Sequence, residues 1–102
     1  MKLVQIFLPR YDNNGRRFPP AFYAREREVL AERFGGLTAF TRSPVRGLWK
    51  AGAHTTKGDD LVIFEVMVRR LDRKWWNNYR FKLQKCFEQK SLVMRVQDAK
   101  LI

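Results

Sequence analysis

The chain has 102 residues, 45% of them hydrophobic and 14% aromatic, which is the size of one domain built on a single two-layer core. Cys86 stands alone, which excludes an intramolecular disulfide or a cysteine cluster for zinc or iron–sulfur ligation, and no apolar run approaches the roughly 20 residues of a membrane span. Basic side chains outnumber acidic ones by 21 to 10, a net charge of +11 split as +6 over residues 1–51 and +5 over 52–102, so the excess is spread and not held in a tail. Such a surface steers nucleic acid or acidic ligands toward the protein, and it also serves plain solubility.

The opening MKLVQIFLPR has only a short apolar run and no small-residue cleavage site, so a secretory signal is not expected, and a reducing cytoplasmic setting is. Lys2 to Pro9 reads as a strand with Val4, Ile6 and Leu8 on one face and Leu3, Gln5 and Phe7 on the other. Tyr11 to Arg17 is a loop carrying the turn signal Asn14-Gly15. Pro19-Pro20 suits the first turn of a helix running to Phe34, and Gly35-Gly36 supplies the left-handed stop. Phe22, Tyr23, Val29, Leu30 and Phe34 share its apolar arc, with Glu26 and Arg33 expected at the margin, reaching sideways to partners.

Leu37 to Arg42 is a more polar strand interrupted at Ser43-Pro44. Residues 45–50 are expected to resume it after a bend, and 51–58 to form a Gly/Thr connection that leaves His54 in a flexible loop. Residues 61–68 are apolar at every position but Glu65. Val62, Phe64, Val66 and Val68 fall on one face and Leu61, Ile63, Glu65 and Met67 on the other, the pattern of a central strand buried on both sides. Asp72 is an N-cap for a helix to about Glu88 with Trp75, Trp76, Tyr79, Leu83, Cys86 and Phe87 as its stripe, Phe81 pointing away, and Cys86 a small core residue. Ser91 to Gln97 is the last strand, with Leu92, Met94 and Val96 opposite Val93, Arg95 and Gln97.

The order strand, helix, strand, strand, helix, strand predicts one ferredoxin-like α+β domain over residues 1–102: a four-stranded antiparallel sheet with both helices on one face, the first and third strands central, and the fourth beside the first. The other face would carry Leu3, Gln5 and Phe7; Ile63, Glu65 and Met67; Val93, Arg95 and Gln97; and Phe40 and Arg42. So apolar a face calls for a cover, and a second copy of the same sheet is the simplest one.

On this element order over nearly the whole chain, and on the two-faced third strand, the sequence resembles the dimeric α+β barrel superfamily of small ferredoxin-like chains. The resemblance implies a homodimer paired sheet to sheet. Its members include small monooxygenases, isomerase- and decarboxylase-like enzymes and ligand-binding modules, and the fold does not choose among them. The residues favour a small anionic or aromatic ligand in a cavity on that sheet face, bound by Gln5, Glu65 and Arg95, with Arg42, Trp49, Tyr11 and Arg10 about the mouth. A competing reading makes Glu65–Arg95 an ion pair that sets the register of the dimer or bridges to the partner.

A cofactor-free barrel enzyme, monooxygenase- or isomerase-like, would use Glu65 as general base with His54 or Tyr11 assisting. No glycine loop for phosphate, histidine pair for a metal or Ser–His–Asp set is present, so no cofactor and no metal are expected. A nucleic-acid-binding protein acting through its basic surface is the remaining alternative. The RNA-recognition motif shares the element order, but it stacks bases on aromatic rings of the third strand, where this chain offers Ile63, Glu65 and Met67.

Overall fold

The computed structural model describes residues 1–40 and 61–102, and between them the backbone of 48–51 and 54–57. Its elements are β1 (Lys2–Pro9), α1 (Pro20–Phe34), β2 (Thr38–Phe40), β3 (Leu48–Ala51), β4 (His54–Lys57), β5 (Leu61–Val68), α2 (Arg73–Cys86) and β6 (Met94–Asp98). Four strands form an antiparallel sheet in the order β2-β5-β1-β6. This is the ferredoxin-like arrangement, with β5 and β1 central and β6 beside β1 as expected.

A second, two-stranded sheet interrupts the pattern between β2 and β5. β3 and β4 pair antiparallel from Leu48↔Lys57 to Ala51↔His54. This corrects the expectation of a plain Gly/Thr connection: His54 opens a strand, in keeping with the β-branched pair Thr55-Thr56 that follows it.

One apolar cluster lies between the sheet and both helices. β1 contributes Val4, Ile6 and Leu8, β5 contributes Val62, Phe64, Val66 and Val68, and the helices meet them with Tyr23, Leu30, Trp76, Tyr79 and Leu83. The period-2 faces of the strands and the 3.6-period stripes of the helices thus converge on one layer. Aromatic rings complete it: Phe34 stacks on Trp76 at 5.2 Å, and Phe18 meets Phe87 edge-on at 5.0 Å.

Three details differ from the sequence reading. Val29 is exposed, and Glu26, expected at the margin of α1, is buried in its place at 6% exposure. β6 begins at Met94 and not Ser91, although Leu92 still packs into the core ahead of it. Val96 lines a cleft beneath α2 instead of being covered by it and remains 45% exposed.

The helix ends obey local rules. Gly35 adopts φ 82° and its N–H donates to Ala31 O at 2.8 Å, while Asp72 Oδ1 accepts from the Trp75 N–H at 3.1 Å. A Cβ on Gly35 would meet no atom within 4 Å, so a substitution there is penalised by the backbone angle alone. Gly35→Ala is therefore expected to lower stability by about 1 kcal/mol, whereas Gly36→Ala, at a position without positive φ, leaves it near the native value. Urea denaturation of the two variants measures the difference.

Candidate functional site

The register places Thr38, Glu65, Gln5 and Arg95 side by side on the four strands of the main sheet, on the face away from the helices. Gln5 Nε2 donates to Glu65 Oε2 at 2.9 Å. Gln5 thus stands between the two charged residues, and the expected Glu65–Arg95 ion pair gives way to a different arrangement. The Arg95 guanidinium lies over the Phe7 ring, 4.6 Å from its centroid.

The face is also less open than its composition suggests. Phe7, Leu61 and Ile63 are 5%, 6% and 3% exposed within one chain, and Phe40 packs against them as a second apolar cluster. What remains accessible is the other end, with Leu3, Gln5, Glu65 and Met67 half-buried and Arg95 and Gln97 exposed, together with Val93 at the edge beside Phe7. Neither of the two principal clefts of the described residues opens on this face. Arg42 lies outside the described residues, as do the side chains of Trp49 on β3 and His54 on β4. Tyr11 sits in the loop after β1, away from the row, in an isolated bridge to Arg17.

That loop builds the larger cleft. Asp12 Oδ1 accepts from the backbone N–H groups of Asn14 (2.8 Å) and Arg16 (2.9 Å), and the Asp12 N–H donates to Arg16 O at 2.7 Å. With Gly15 at φ 78° closing the turn and the Phe18 N–H bonded to Arg10 O, the chain doubles back and brings Arg17 alongside the end of β1. The resulting cleft has a volume of about 350 Å³. It is lined by Arg10, Arg17 and Arg27, with Phe18, Tyr23 and Val62 among its walls.

No carboxylate is among the described lining residues. Arg10 Nη2 donates to Leu61 O at 3.3 Å, which ties this guanidinium to the start of β5. The Tyr23 hydroxyl donates to Pro9 O at 2.6 Å, and burial pushes its pKa up to about 12 despite the opposing pull of Arg10 and Arg17. Tyr23 is therefore a neutral wall whose hydroxyl is already committed. The sequence reading placed Arg10 near a cavity mouth but missed Arg17, Arg27 and Tyr23. The signals for them were the Asn14-Gly15 turn and the Pro-Pro helix start, which together fold residues 10–27 around one corner.

A second, smaller cleft of about 200 Å³ lies between α2 and β6, with Arg73, Trp76, Asn77 and Arg80 on the helix side and Met94 and Val96 on the strand. Arg80 Nε is buried there without a hydrogen-bond partner among the described residues.

Between the helices the Tyr79 hydroxyl donates to Glu26 Oε1 at 3.3 Å, and Arg25 Nε lies 3.6 Å from Glu26 Oε2. Arg25 Nη2 is 2.7 Å from Cys86 Sγ, and Cys86 packs on the core as anticipated. Glu26 does reach sideways to partners, but from a buried position. Burial drives the Tyr79 pKa far above the usual phenol range, and the neighbouring Glu26 carboxylate adds to the effect. Among the described residues no cluster of three His, Cys, Asp or Glu side chains could hold a metal, and no helix is long and apolar enough to cross a membrane.

Comparison with known proteins gives a likeness of fold. No protein-family model matches the chain, and no curated protein matches it. Two solved structures do: a phage SAM lyase in complex with S-methyl-5′-thioadenosine, and a phage SAM lyase in the apo state. They superimpose with TM-scores of 0.56 and 0.53 at 13% identity, over 95% and 94% of this chain and 80% and 78% of theirs. The likeness at this identity is one of architecture, in agreement with the ferredoxin-like α+β order.

The two buried tyrosines predict an alkaline limit to stability. Both phenols have folded-state pKa values above the ordinary 10.0, so the unfolded chain releases their protons first as pH rises. Their contribution is complete below about pH 10 and, for Tyr23, is lost as pH climbs toward about 12. Denaturation midpoints followed across this window should fall with pH, and Tyr23→Phe should flatten the slope.

Proposed function

We propose that this chain binds a small organic anion, an acid group joined to an aromatic or apolar body, in the cleft of Arg10, Arg17 and Arg27. The observation that carries this reading is that three arginines from three chain segments line one cleft whose other walls include Phe18, Tyr23 and Val62, with no carboxylate among its described lining residues. A volume of about 350 Å³ falls at the lower end of the range for small-ligand sites, roughly 300–1,000 Å³, and suits a molecule of modest size. The phage SAM lyase structure with S-methyl-5′-thioadenosine supports the capacity of this architecture to hold a small aromatic molecule. The ligand chemistry expected from the sequence is kept, while its place moves from the sheet face to the corner between β1, α1 and β5. A bounded cleft also favours a small molecule over nucleic acid, which tracks along extended basic grooves.

Calorimetric titration with phenyl phosphate and with benzoate tests this. At least one should bind saturably, and Arg27→Ala should weaken it by about tenfold, the scale of one lost charge-assisted contact. Arg70→Ala removes the same charge beyond the far end of β5 and should leave affinity unchanged. Absence of saturation with both probes, or equal weakening by both variants, would leave only bulk charge and sink the reading.

A second reading concerns the sheet face, where one observation favours pairing with another copy. Glu65, Gln5 and Arg95 follow one another across adjacent strands. A two-fold axis running along the strands above Gln5 would set each Glu65 opposite the partner's Arg95, so the row is complementary to itself. Sedimentation equilibrium should show wild-type dimers, single variants Glu65→Arg and Arg95→Glu weakened by about tenfold or more, and association restored in the double variant. A monomeric wild type, or a double variant no better than the singles, would count decisively against this pairing.

A further inference from the structure

We infer that the solvent face of α2 is a docking surface for single-stranded nucleic acid, on which an unpaired base stacks against Phe81 while the neighbouring phosphates meet the lysines around it. This face shares no residue with the arginine cleft, and the inference does not depend on that site.

Charge singles out the helix. Five of its 14 residues, Arg73, Lys74, Arg80, Lys82 and Lys85, are basic and none is acidic, whereas α1 sets three basic residues against three acidic ones. Residues 52–102 carry a net charge of +5, and α2 supplies all of it. An excess kept only for solubility has no reason to collect on one element. Among the described residues the ion pairs are Lys2–Asp98, Arg25–Glu26 and Arg33–Asp72, so no carboxylate answers the cations of α2. Arg73 and Lys74 moreover stand in the first turn, at the positive end of the helix, where cations are disfavoured. A polyanion laid along this face relieves both conditions.

The positions of the side chains add a ring to the charge. Lys74, Asn78, Phe81 and Lys85 recur at helical spacing on one face, flanked by Asn77 and Lys82, and all six are exposed. From Lys74 to Lys85 the face runs about 16 Å at about 1.5 Å per residue. Phe81 is 55% exposed, on the side away from Trp76, Tyr79 and Leu83, which face the core. A lone exposed phenylalanine is ordinary. This one sits in the middle of a row of lysines and amides, with the Arg80 guanidinium 5.5 Å from its centroid. The aromatic platform that β5 does not offer on its open face is thus supplied by α2.

Stacking chooses the form of the partner. In a duplex the bases cover one another, whereas a single strand can lay a base on the ring while its backbone follows the cations. Asn77 and Asn78 bring amide donors and acceptors suited to a base edge. An anionic membrane is a poorer match, because surface helices bury a broad apolar face there and the apolar stripe of α2 is already packed into the core.

Fluorescence anisotropy tests this with labelled DNA and RNA single strands of about 12 nucleotides, the DNA duplex of the same sequence, and heparin as a polyanion without bases. At least one single strand should bind about fivefold tighter than the duplex. Phe81→Ala should weaken that strand by about tenfold and leave heparin binding unchanged, and Phe81→Trp should restore it. Lys74→Ala and Lys85→Ala should each lower the slope of log affinity against log salt by about 0.7, the share of one phosphate contact. Urea denaturation checks that these exposed substitutions leave the fold intact.

Single-strand affinity that survives Phe81→Ala, or heparin binding that falls in the same proportion, would leave bulk charge as the cause and overturn the stacking surface. Failure of both strands to bind would overturn the inference outright. Phe81-dependent sedimentation with phosphatidylserine vesicles would in that case give the face to a lipid surface.

Discussion

Eight residues of β1 lie antiparallel to eight of β5, from Lys2↔Val68 to Pro9↔Leu61, and this register places nearly everything else. Because side chains alternate with a period of two, it sends Val4, Ile6 and Leu8 with Val66, Phe64 and Val62 into the helix-side core and leaves Gln5 beside Glu65 on the other face. A slip of one residue would turn both sets over and bury the glutamate among the helices. The same pairing brings the end of β1 to the start of β5, where Arg10 bonds to Leu61 O. The arginine cleft is in this sense a product of the central strand pair, located where its last rung ends.

Around that pair the chain divides its aromatic and polar residues by layer. Trp75, Trp76, Tyr79 and Phe34 pack as stacked and edge-on rings over one end of the helix layer, while Phe18, Phe22, Tyr23 and Phe87 form a second ring cluster beside the cleft. Such packing gives rigid walls from side chains with few rotors. Glu26 is the exception inside this layer. Its burial is tolerable because Tyr79 donates to it and Arg25 stands beside it, so the carboxylate is compensated on both oxygens. These contacts also join α1 to α2 across the layer by polar bonds in addition to ring packing.

Architecture and function are decided on different scales here. The ferredoxin-like layer is shared with a phage SAM lyase at 13% identity, and that degree of likeness is maintained by strand pairing and core volume, which many sequences can supply. A binding site needs specific groups at specific distances. In this chain Arg10, Arg17 and Arg27 meet at the corner where the loop after β1 joins the first turns of α1, with Val62 of the sheet among the walls. The +11 charge distributed over the surface strengthens the field at such a site without itself creating one.

The sequence alone determined the element order, the alternating faces of β1 and β5, the Asp72 and Gly35 helix ends and the inward stripe of α2, because each is set by neighbours within a few residues along the chain. It also placed Gln5, Glu65 and Arg95 on adjacent strands, since strand order follows from the connectivity. Only the tertiary structure decided that Gln5 bonds Glu65 while Arg95 lies over Phe7, that Phe7, Leu61 and Ile63 are already covered within one chain, that Glu26 is buried, and that Arg10, Arg17 and Arg27 share a cleft. Those outcomes depend on which groups from distant segments arrive at the same place and how much water they exclude. Periodicity carries that information along one element, but not between elements.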